Sequence, residues 1–285
     1  MPKSLREALL WAKSELARAG IDMPALDAEL LLAHVLGISR VGLYTKTDRI
    51  LSEYEWERFI DHINRRASHI PLAYLTGKKE FYGLDFFVTP AVLIPRPETE
   101  LMVEEGVNFL KNFRGLKLAV DVGTGSGAVG IAIARQISLG LFFLLDISEE
   151  ALKVAKVNAR HHGVYDRVIF GKGDLLEPLN FLDFKGKISL ITANLPYIPT
   201  GEIDDLMPEV KKEPVLALDG GEDGLMLYRR LLPAAHKILA EEGMMLLEIA
   251  PYQGEAILEE AQDLYRVEIK KDLAGRDRLV ILKKK

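Results

Sequence analysis

The sequence of 285 residues contains no cysteine. Disulfide bonds, thiolate catalysis and cysteine-ligated zinc are therefore excluded. Its six histidines include the adjacent pair His161 and His162, but none of them follows a recognisable metal-ligand spacing. The sequence accordingly predicts a protein that holds no metal.

Long apolar stretches and an excess of basic charge are also lacking. No apolar run approaches the roughly 18 residues that a membrane-spanning helix needs. Residues 1–20 carry charges throughout, which predicts the start of an amphipathic helix and not a signal peptide. The formal net charge of −5 argues against a dedicated duplex-DNA-binding protein, which needs a basic face for phosphates. We therefore expect a globular protein of the cytoplasm.

The patterning of the chain predicts two domains and a linker, as its length allows at roughly 100–200 residues per domain. Residues 1–75 are predicted to be helical, with a strong helix at 25–36 and another that Ser52 begins through a capping-box pattern. Residues 76–95 predict a linker with a β-hairpin, because they contain an aromatic and β-branched run with a glycine at its turn. Residues 96–285 form the second predicted domain.

Strands and helices alternate through that second domain. The predicted strands are 118–124, 141–147, 167–175, 188–194 and 243–250, followed by a terminal hairpin around Ala274 and Gly275. The predicted helices are 98–113, 127–137, 148–163, 224–241 and 254–264. This order indicates an α/β fold with a doubly wound, mainly parallel sheet of seven strands. Ligands of such sheets bind beyond the carboxyl ends of the strands.

A glycine-rich segment, DVGTGSG at 121–127, joins the first of these strands to a helix. Gly125, Gly127 and Gly130 fit the G-x-G-x-x-G pattern of dinucleotide-binding enzymes, so a dehydrogenase is one hypothesis. However, a carboxylate at Asp121 would repel a pyrophosphate. It suits a ligand that carries an ammonium and a sulfonium group without a phosphate, and S-adenosylmethionine is such a ligand.

Two further acidic residues follow neighbouring strands at the same edge. Asp146 ends the second predicted strand, where an acid can accept the hydroxyls of an adenosine ribose. It can also favour the N-terminus of the following helix, and the two roles are compatible. Asp174 is predicted to accept the adenine amino group, while Leu175 offers a backbone N–H. A simple surface turn is the alternative for Asp174.

The tetrapeptide Asn194-Leu195-Pro196-Tyr197 follows the apolar strand ISLITA. Pro196 restricts the preceding residue to an extended conformation, which holds the Leu195 carbonyl next to the Asn194 carboxamide. Two neighbouring acceptors can engage both N–H groups of a planar amide and turn its lone pair towards a methyl donor. Tyr197 can pack on the flat amide. A proline-stopped strand end without chemistry is the alternative.

The chain resembles the release-factor glutamine N5-methyltransferases over nearly its whole length. Besides the glycine loop and NLPY, the resemblance rests on IPRPETE (94–100), GDLLEPL (173–179), EPVLALDGGEDGL (213–225) and KDLAGRDR (271–278). Leu195 replaces the usual first proline of the tetrapeptide, and Ala250 stands where glycine is more usual. The resemblance implies a Rossmann-like, seven-stranded methyltransferase domain at 96–285, behind an N-terminal substrate-recognition domain.

The resemblance also implies the site. It predicts S-adenosylmethionine as the methyl donor, no metal, and the glutamine of a Gly-Gly-Gln loop in a peptide-chain release factor as the methyl acceptor. The predicted cofactor-binding residues are Asp121, Gly123, Thr124, Gly125, Ser126, Gly127, Asp146, Asp174, Leu175 and Asn194. The predicted catalytic and substrate-binding residues are Asn194, Leu195, Pro196 and Tyr197. Arg96 and Thr99 of the IPRPETE loop are predicted to line the substrate entrance, although a helix cap at Thr99 or a domain-docking ion pair fits equally well.

Three other functions stay open from the residues alone. An adenine-N6 or cytosine-N4 methyltransferase would flip a base onto Tyr197, but the acidic balance of the chain disfavours nucleic acid as the substrate. A non-catalytic nucleotide-binding module is possible. An NAD-dependent oxidoreductase is disfavoured by Asp121 and by the lack of a catalytic histidine or Tyr-Lys pair.

Overall fold

The computed structural model describes residues 4–45 and 48–285. The chain divides into two compact units. The first extends to Lys78 and includes the later segment Met207–Lys212, and the second comprises Lys79–Leu206 and Glu213–Lys285. Within the described ranges, no helix is both long and apolar enough to cross a membrane.

The first unit is built from helices. They are α1 (Leu5–Arg18), α2 (Pro24–Leu36), α3 (Arg40–Tyr44), α4 (Glu53–Ala67) and α5 (Leu72–Thr76). The helix predicted from the capping box is confirmed: the Ser52 hydroxyl accepts from the Glu55 N–H, and the Glu55 carboxylate accepts from the Ser52 N–H. The two reciprocal bonds satisfy amide groups that a helix N-terminus otherwise leaves unpaired. Gly37 ends α2 in the left-handed conformation, as its position predicted.

A buried arginine ties the segment Met207–Lys212 into this first unit. Arg66 of α4 is 4% exposed. Its Nε donates to Asp27 Oδ2 at 2.7 Å, and its Nη2 donates to Glu209 Oε1 at 2.5 Å. Removing one partner of such a buried ion pair leaves an uncompensated charge, which typically costs about 3–5 kcal/mol. Arg66 is therefore expected to be essential for the stability of the unit.

A two-stranded hairpin follows the helices, formed by β1 (Lys78–Phe81) and β2 (Leu84–Phe87). Tyr82 and Gly83 make the turn with φ of 52° and 71°. The hairpin is shorter than the aromatic run that predicted it, because Pro90 and Pro95 interrupt regular structure after Phe87.

The second unit contains a seven-stranded sheet, as predicted. Its strands are β3 (Leu118–Val122), β4 (Leu141–Asp146), β5 (Val168–Lys172), β6 (Ile188–Ala193), β7 (Leu239–Glu248), β8 (Tyr265–Lys271) and β9 (Asp277–Lys284). Its helices are α6 (Glu100–Asn112), α7 (Ala128–Gln136), α8 (Glu149–His161), α9 (Met226–Ile238) and α10 (Gly254–Ala261). The strand order is β5-β4-β3-β6-β7-β9-β8, with β9 antiparallel to both of its neighbours and the other pairings parallel.

Each face of the sheet buries its own apolar layer. Side chains of α6, α7 and α8 pack on one face, and those of α9 and α10 pack on the other. Because side chains alternate along a strand, Ala119 joins the first layer while Val120 joins the second. The central strands β3 and β6 are buried along their whole length. They therefore hold the residues at their carboxyl ends, Asp121 and Asn194, on a rigid support.

Several predicted element boundaries differ from the structure, and the start of β7 differs most. The helix expected over 224–241 ends at Ile238, and β7 begins at Leu239, four residues before the predicted start of its strand at 243. Leu239 is fully buried and pairs with Ile188 of β6, followed by a register irregularity. Tertiary pairing thus overrides the helical preference of the charged residues Glu241 and Glu242.

Candidate active site

A cavity of about 250 Å³ opens at the carboxyl ends of β3, β4 and β6, within the second unit. Its walls are mostly apolar. The predicted site residues among its lining are Thr99, Asp121, Gly123, Thr124, Gly125, Ser126, Asp146, Asp174, Leu175, Asn194, Leu195 and Pro196. Gly127, Tyr197 and Arg96 do not line it. The structure thus brings together most of the residues that the sequence predicted for one site.

Both carboxylate oxygens of Asp121 accept hydrogen bonds from other residues of the protein. Its Oδ2 accepts from Thr124 Oγ1 at 2.6 Å and from the Gly130 N–H at 3.1 Å. Its Oδ1 accepts from Thr192 Oγ1 at 2.8 Å. Burial raises the pKa of this carboxyl to about 6, although the hydroxyl donors oppose that rise. Asp121 therefore shapes the glycine loop from beneath, and a contact with a ligand stays a prediction.

Asp146 fastens the glycine loop to the start of α8. Its Oδ2 accepts from the Gly125 N–H at 2.8 Å, and its Oδ1 accepts from the Ser148 N–H at 2.8 Å. Burial raises its pKa. Each carboxylate oxygen can accept more than one hydrogen bond, so both keep acceptor capacity towards the cavity. Gly127, the last residue of the glycine loop, is the N-cap of α7 and has a φ of 82°.

A buried asparagine that the sequence did not reveal supports the same loop. Asn158 of α8 is fully buried. Its Nδ2 donates to the Ser126 carbonyl at 2.8 Å and to the Phe87 carbonyl at 2.9 Å, while its Oδ1 accepts from the Phe87 N–H. The side chain thereby joins the end of β2 to the glycine loop. An asparagine within the helical pattern of 148–163 gave no signal of this role.

Asp174 and Leu175 follow β5 and line the cavity. Asp174 Oδ2 accepts from Arg230 Nη2 at 2.5 Å, an ion pair that sequence reasoning did not predict. Leu175 has a φ of 50°, in the left-handed region that costs a non-glycine residue roughly 1–3 kcal/mol. Such strain is typical of binding sites, where surrounding structure maintains it.

Asn194 follows β6 and faces the cavity with a defined polarity. Its Nδ2 donates to Thr99 Oγ1 at 3.3 Å. No residue within 4–45 or 48–285 donates a hydrogen bond to its Oδ1. The carboxamide oxygen is thus available as an acceptor at the edge of the cavity.

The backbone of the tetrapeptide is held from below by two side chains. The Tyr228 hydroxyl lies 3.4 Å from the Leu195 carbonyl and also contacts the Glu248 carbonyl. Gln253 Nε2 donates to the Tyr197 carbonyl at 3.0 Å. Tyr228 and Gln253 therefore fix the position of the tetrapeptide backbone. Pro196 alone would restrict its conformation but not its position.

Two glycines are required for this close packing. A Cβ on Gly123 would lie 2.9 Å from Leu195 Cδ2, and Gly123 has a φ of 68°. A Cβ on Gly224 would lie 2.2 Å from the Tyr197 carbonyl oxygen, and Gly224 has a φ of 78°. Leu195, the residue that stands in place of the usual proline, is 3% exposed and fills the space above Gly123. The glycines allow the tetrapeptide to approach both neighbouring loops.

An acidic residue lies under Tyr197. Glu248, at the end of β7, is 1% exposed. Its Oε1 accepts from the Tyr197 hydroxyl at 3.4 Å. Burial raises the pKa of Glu248 to about 7, and burial and the nearby Glu248 charge raise the pKa of Tyr197 well above its ordinary value.

Arg96 forms an ion pair within the second unit, and its role at the substrate entrance stays a prediction. Its Nη2 donates to Glu213, which is 4% exposed. The same Glu213 carboxylate accepts from the Ile94 N–H at 2.9 Å. Glu213 therefore anchors the IPRPETE loop, and the sequence signal for it was its place in the EPVLALDGGEDGL segment.

The part of the chain that the structure describes contains no group of three histidine, aspartate or glutamate side chains that could hold a metal ion.

The fold and the site define a methyltransferase of the Rossmann-like class. The family described as methyltransferase domain matches residues 116–268, and the PrmC N-terminal domain matches residues 7–77. The fold is similar to a methyltransferase from Pyrococcus furiosus, with 23% identity, a TM-score of 0.53 and coverage of 78% of this chain and 99% of that one. It is also similar to the hMettl16 catalytic domain, with 14% identity, a TM-score of 0.57 and coverage of 78% and 82%.

Full-length relatives identify the family. The chain is 44% identical to the release factor glutamine methyltransferase of Moorella thermoacetica, over 96% of both proteins. It is 40% identical to that of Geobacter sulfurreducens, over 90% of this chain and 87% of the relative. It is 39% identical to that of Bacillus cereus, over 96% and 97%. The chain belongs to the release factor glutamine methyltransferase family.

Proposed function

We propose that this protein transfers a methyl group from S-adenosylmethionine to the side-chain amide nitrogen, N5, of the glutamine in the Gly-Gly-Gln motif of a peptide-chain release factor. Curated relatives of that name match nearly the whole chain, including the helical first unit. The single structural observation that carries the proposal is the free Asn194 Oδ1 at the edge of the cavity, one residue from the Leu195 carbonyl.

The lining of the cavity fits S-adenosylmethionine. Asp146 would accept the ribose hydroxyls with the acceptor capacity that Gly125 and Ser148 leave free. Asp174 and the Leu175 N–H would hold the adenine edge, and the apolar walls would enclose the ring. When bound, the cofactor supplies a methyl group activated by a positively charged sulfur. The reaction needs no metal, and we propose that none takes part.

The tetrapeptide would hold the glutamine amide. The two N–H groups of that amide would donate to Asn194 Oδ1 and to the Leu195 carbonyl, which has a second lone pair beyond its contact with Tyr228. An amide nitrogen is a poor nucleophile because its lone pair is delocalised into the carbonyl. Holding both N–H groups favours pyramidal nitrogen and directs the lone pair. Orientation of this kind can contribute roughly 7–11 kcal/mol.

The methyl transfer does not require a strong base. The nitrogen lone pair forms the N–C bond, the C–S electron pair returns to sulfur to give a neutral thioether, and the N–H proton leaves to water once the nitrogen has become cationic. Positive charge is lost from the sulfur during the step, so an apolar cavity does not oppose it. The tetrapeptide therefore needs acceptors rather than a histidine or lysine.

We further propose that the helical first unit recognises the release factor, and that the reaction takes place in the cytoplasm, where translation ends. The nucleic-acid alternative is not favoured. The relatives that match the full chain are named for release factors, and the chain is acidic overall.

The proposal is tested by incubating the protein with radiolabelled S-adenosylmethionine and one of three acceptors. These are a release factor, its variant with alanine in place of the Gly-Gly-Gln glutamine, and a mixture of DNA and RNA. We expect label only on the unmodified factor. Label on the alanine variant at an equal rate, or on nucleic acid alone, would overturn the proposal.

A further inference from the structure

Arg230 lies at the cavity without a role in the proposed reaction. The charged side chains that line the cavity are Asp121, Asp146, Asp174 and Arg230, so Arg230 is the one cation among the described lining residues. Leu227 and Arg230 are three residues apart in α9 and both line the cavity, which places them on one face of that helix. The sequence therefore sets a single guanidinium among three carboxylates at the site.

That guanidinium pairs with one of the three carboxylates. Arg230 Nη2 donates to Asp174 Oδ2 at 2.5 Å, and the side chains of Arg230 and Asp174 are 49% and 32% exposed. An ion pair this accessible contributes little to stability, because water screens the two charges. The pair is therefore not explained as a support of the fold. What it does determine is the direction of the Asp174 carboxylate.

Other contacts hold the backbone on which Asp174 lies. The Gly173 N–H donates to the Asp146 carbonyl at 3.1 Å, and the Asp174 N–H donates to Glu177 Oε2 at 3.3 Å. These bonds fix the turn after β5, but they do not fix the rotation of the Asp174 side chain. Arg230 supplies the contact that does.

The ion pair leaves one acceptor next to one donor. No residue within 4–45 or 48–285 donates a hydrogen bond to Asp174 Oδ1. The neighbouring Leu175 N–H has no acceptor within the same ranges. Adenine presents the complementary pair, because its 6-amino group donates and its N1 accepts. A 6-oxopurine reverses both, since its O6 accepts and its N1–H donates.

We propose that Arg230 is a positioning residue that holds the Asp174 carboxylate towards the 6-amino group and so gives the site its selectivity for adenine over a 6-oxopurine. The inference rests on the proposed function, which assigns S-adenosylmethionine to this cavity. A 6-oxopurine would bring an acceptor against the carboxylate and a donor against the Leu175 N–H, and such mismatched polar groups weaken binding. Without Arg230 the carboxylate rotates away, so the amino group loses its acceptor and the oxo group loses its repulsion.

The test measures dissociation constants by calorimetry for S-adenosylhomocysteine and for S-inosylhomocysteine, which carries a 6-oxo group in place of the amino group. The wild type is expected to prefer the adenosine compound by roughly 100-fold, the scale of two mismatched hydrogen bonds. Arg230→Met keeps the length of the side chain and removes the guanidinium. It should lower the preference to below about 10-fold, because the adenosine compound binds more weakly and the inosine compound does not.

A matched control and a double variant separate positioning from general damage. Arg229→Met is the control, because Arg229 precedes Arg230 in α9, pairs with Asp223 and Glu260, and does not line the cavity. It should keep the wild-type preference. Asp174→Ala should lose the preference by itself. Because Arg230 acts through Asp174, adding Arg230→Met to Asp174→Ala should change the preference by less than about 2-fold.

The outcomes distinguish the inference from the proposed function. A preference that is unchanged or higher in Arg230→Met would overturn the inference while the proposed function stands, and a higher one would mean that Arg230 itself donates to the 6-oxo group. A further loss in the double variant would also overturn the inference. A wild-type protein that binds neither compound would overturn the proposed function and the inference with it.

Discussion

Replacing Glu248 by glutamine is expected to raise the stability of the folded protein relative to the wild type progressively as the pH rises. The ordinary pKa of a glutamate, 4.5, applies to the unfolded chain, whereas burial raises the value in the folded protein to about 7. Below pH 4.5 the carboxyl is protonated in both states and the raised pKa has no effect. Between these two values the unfolded chain ionises and the folded protein keeps its proton. The wild type therefore loses stability as the pH rises through this window.

The magnitude follows from the two pKa values. The difference between 4.5 and about 7 corresponds to a loss of about 3 kcal/mol in the free energy of unfolding of the wild type. This loss is complete above pH 7 and absent below pH 4.5. The Glu248→Gln variant does not titrate, so its stability relative to wild type should rise by about this amount across the window. Asp121, whose pKa is raised to about 6, is present in both proteins and cancels in the difference.

Urea unfolding of both proteins at pH values across this window measures the effect. The test is how the difference in unfolding free energy between the variant and the wild type changes with pH. The new amide in the pocket shifts that difference by the same amount at every pH. A difference that stays flat across the window would mean that Glu248 ionises as it does in the unfolded chain, and would refute the reasoning about its burial.

Three further changes test other parts of the site and the fold. Asp146→Ala should weaken S-adenosylmethionine binding by roughly 10- to 100-fold in calorimetry, the loss of a charge-assisted hydrogen bond, and an unchanged affinity would remove Asp146 from the cofactor site. Gly224→Ala should lower the melting temperature and the methylation rate together, since its Cβ would lie 2.2 Å from the Tyr197 carbonyl oxygen, and a wild-type melting temperature would contradict that packing. Arg66→Met should cost about 3–5 kcal/mol in urea unfolding by leaving Asp27 buried without its cation, and a loss below about 1 kcal/mol would contradict it.

Local signals in the sequence were sufficient where one segment determines the structure. The reciprocal cap at Ser52 and Glu55 depends on residues three apart, so the sequence predicts it directly. The apolar strand before Asn194 likewise delivered that side chain to the edge of the sheet. The sequence predicted the end of α9 three residues too late. Leu239 becomes a strand residue only through its pairing with Ile188, which no local pattern encodes.

The supporting contacts of the site arise between distant segments. Thr99 and Asn194 are 95 residues apart in the chain, and Tyr197 and Glu248 are 51 apart. Single residues of these types carry no distinctive pattern, so their relation emerges only when the strands align their carboxyl ends. The hydrogen bond from Asn194 Nδ2 to Thr99 Oγ1 is one such contact.

The most direct test of the account is fragmentation mass spectrometry of a release factor treated with S-adenosylmethionine and either the wild-type protein or its Asn194→Ala variant. The account predicts one methyl group on the side-chain amide nitrogen of the Gly-Gly-Gln glutamine with the wild type. It predicts a loss of roughly 100-fold or more in the rate with the variant, while cofactor binding is largely kept. A methyl group on another residue, or an Asn194→Ala variant that modifies the glutamine at the wild-type rate, would contradict it.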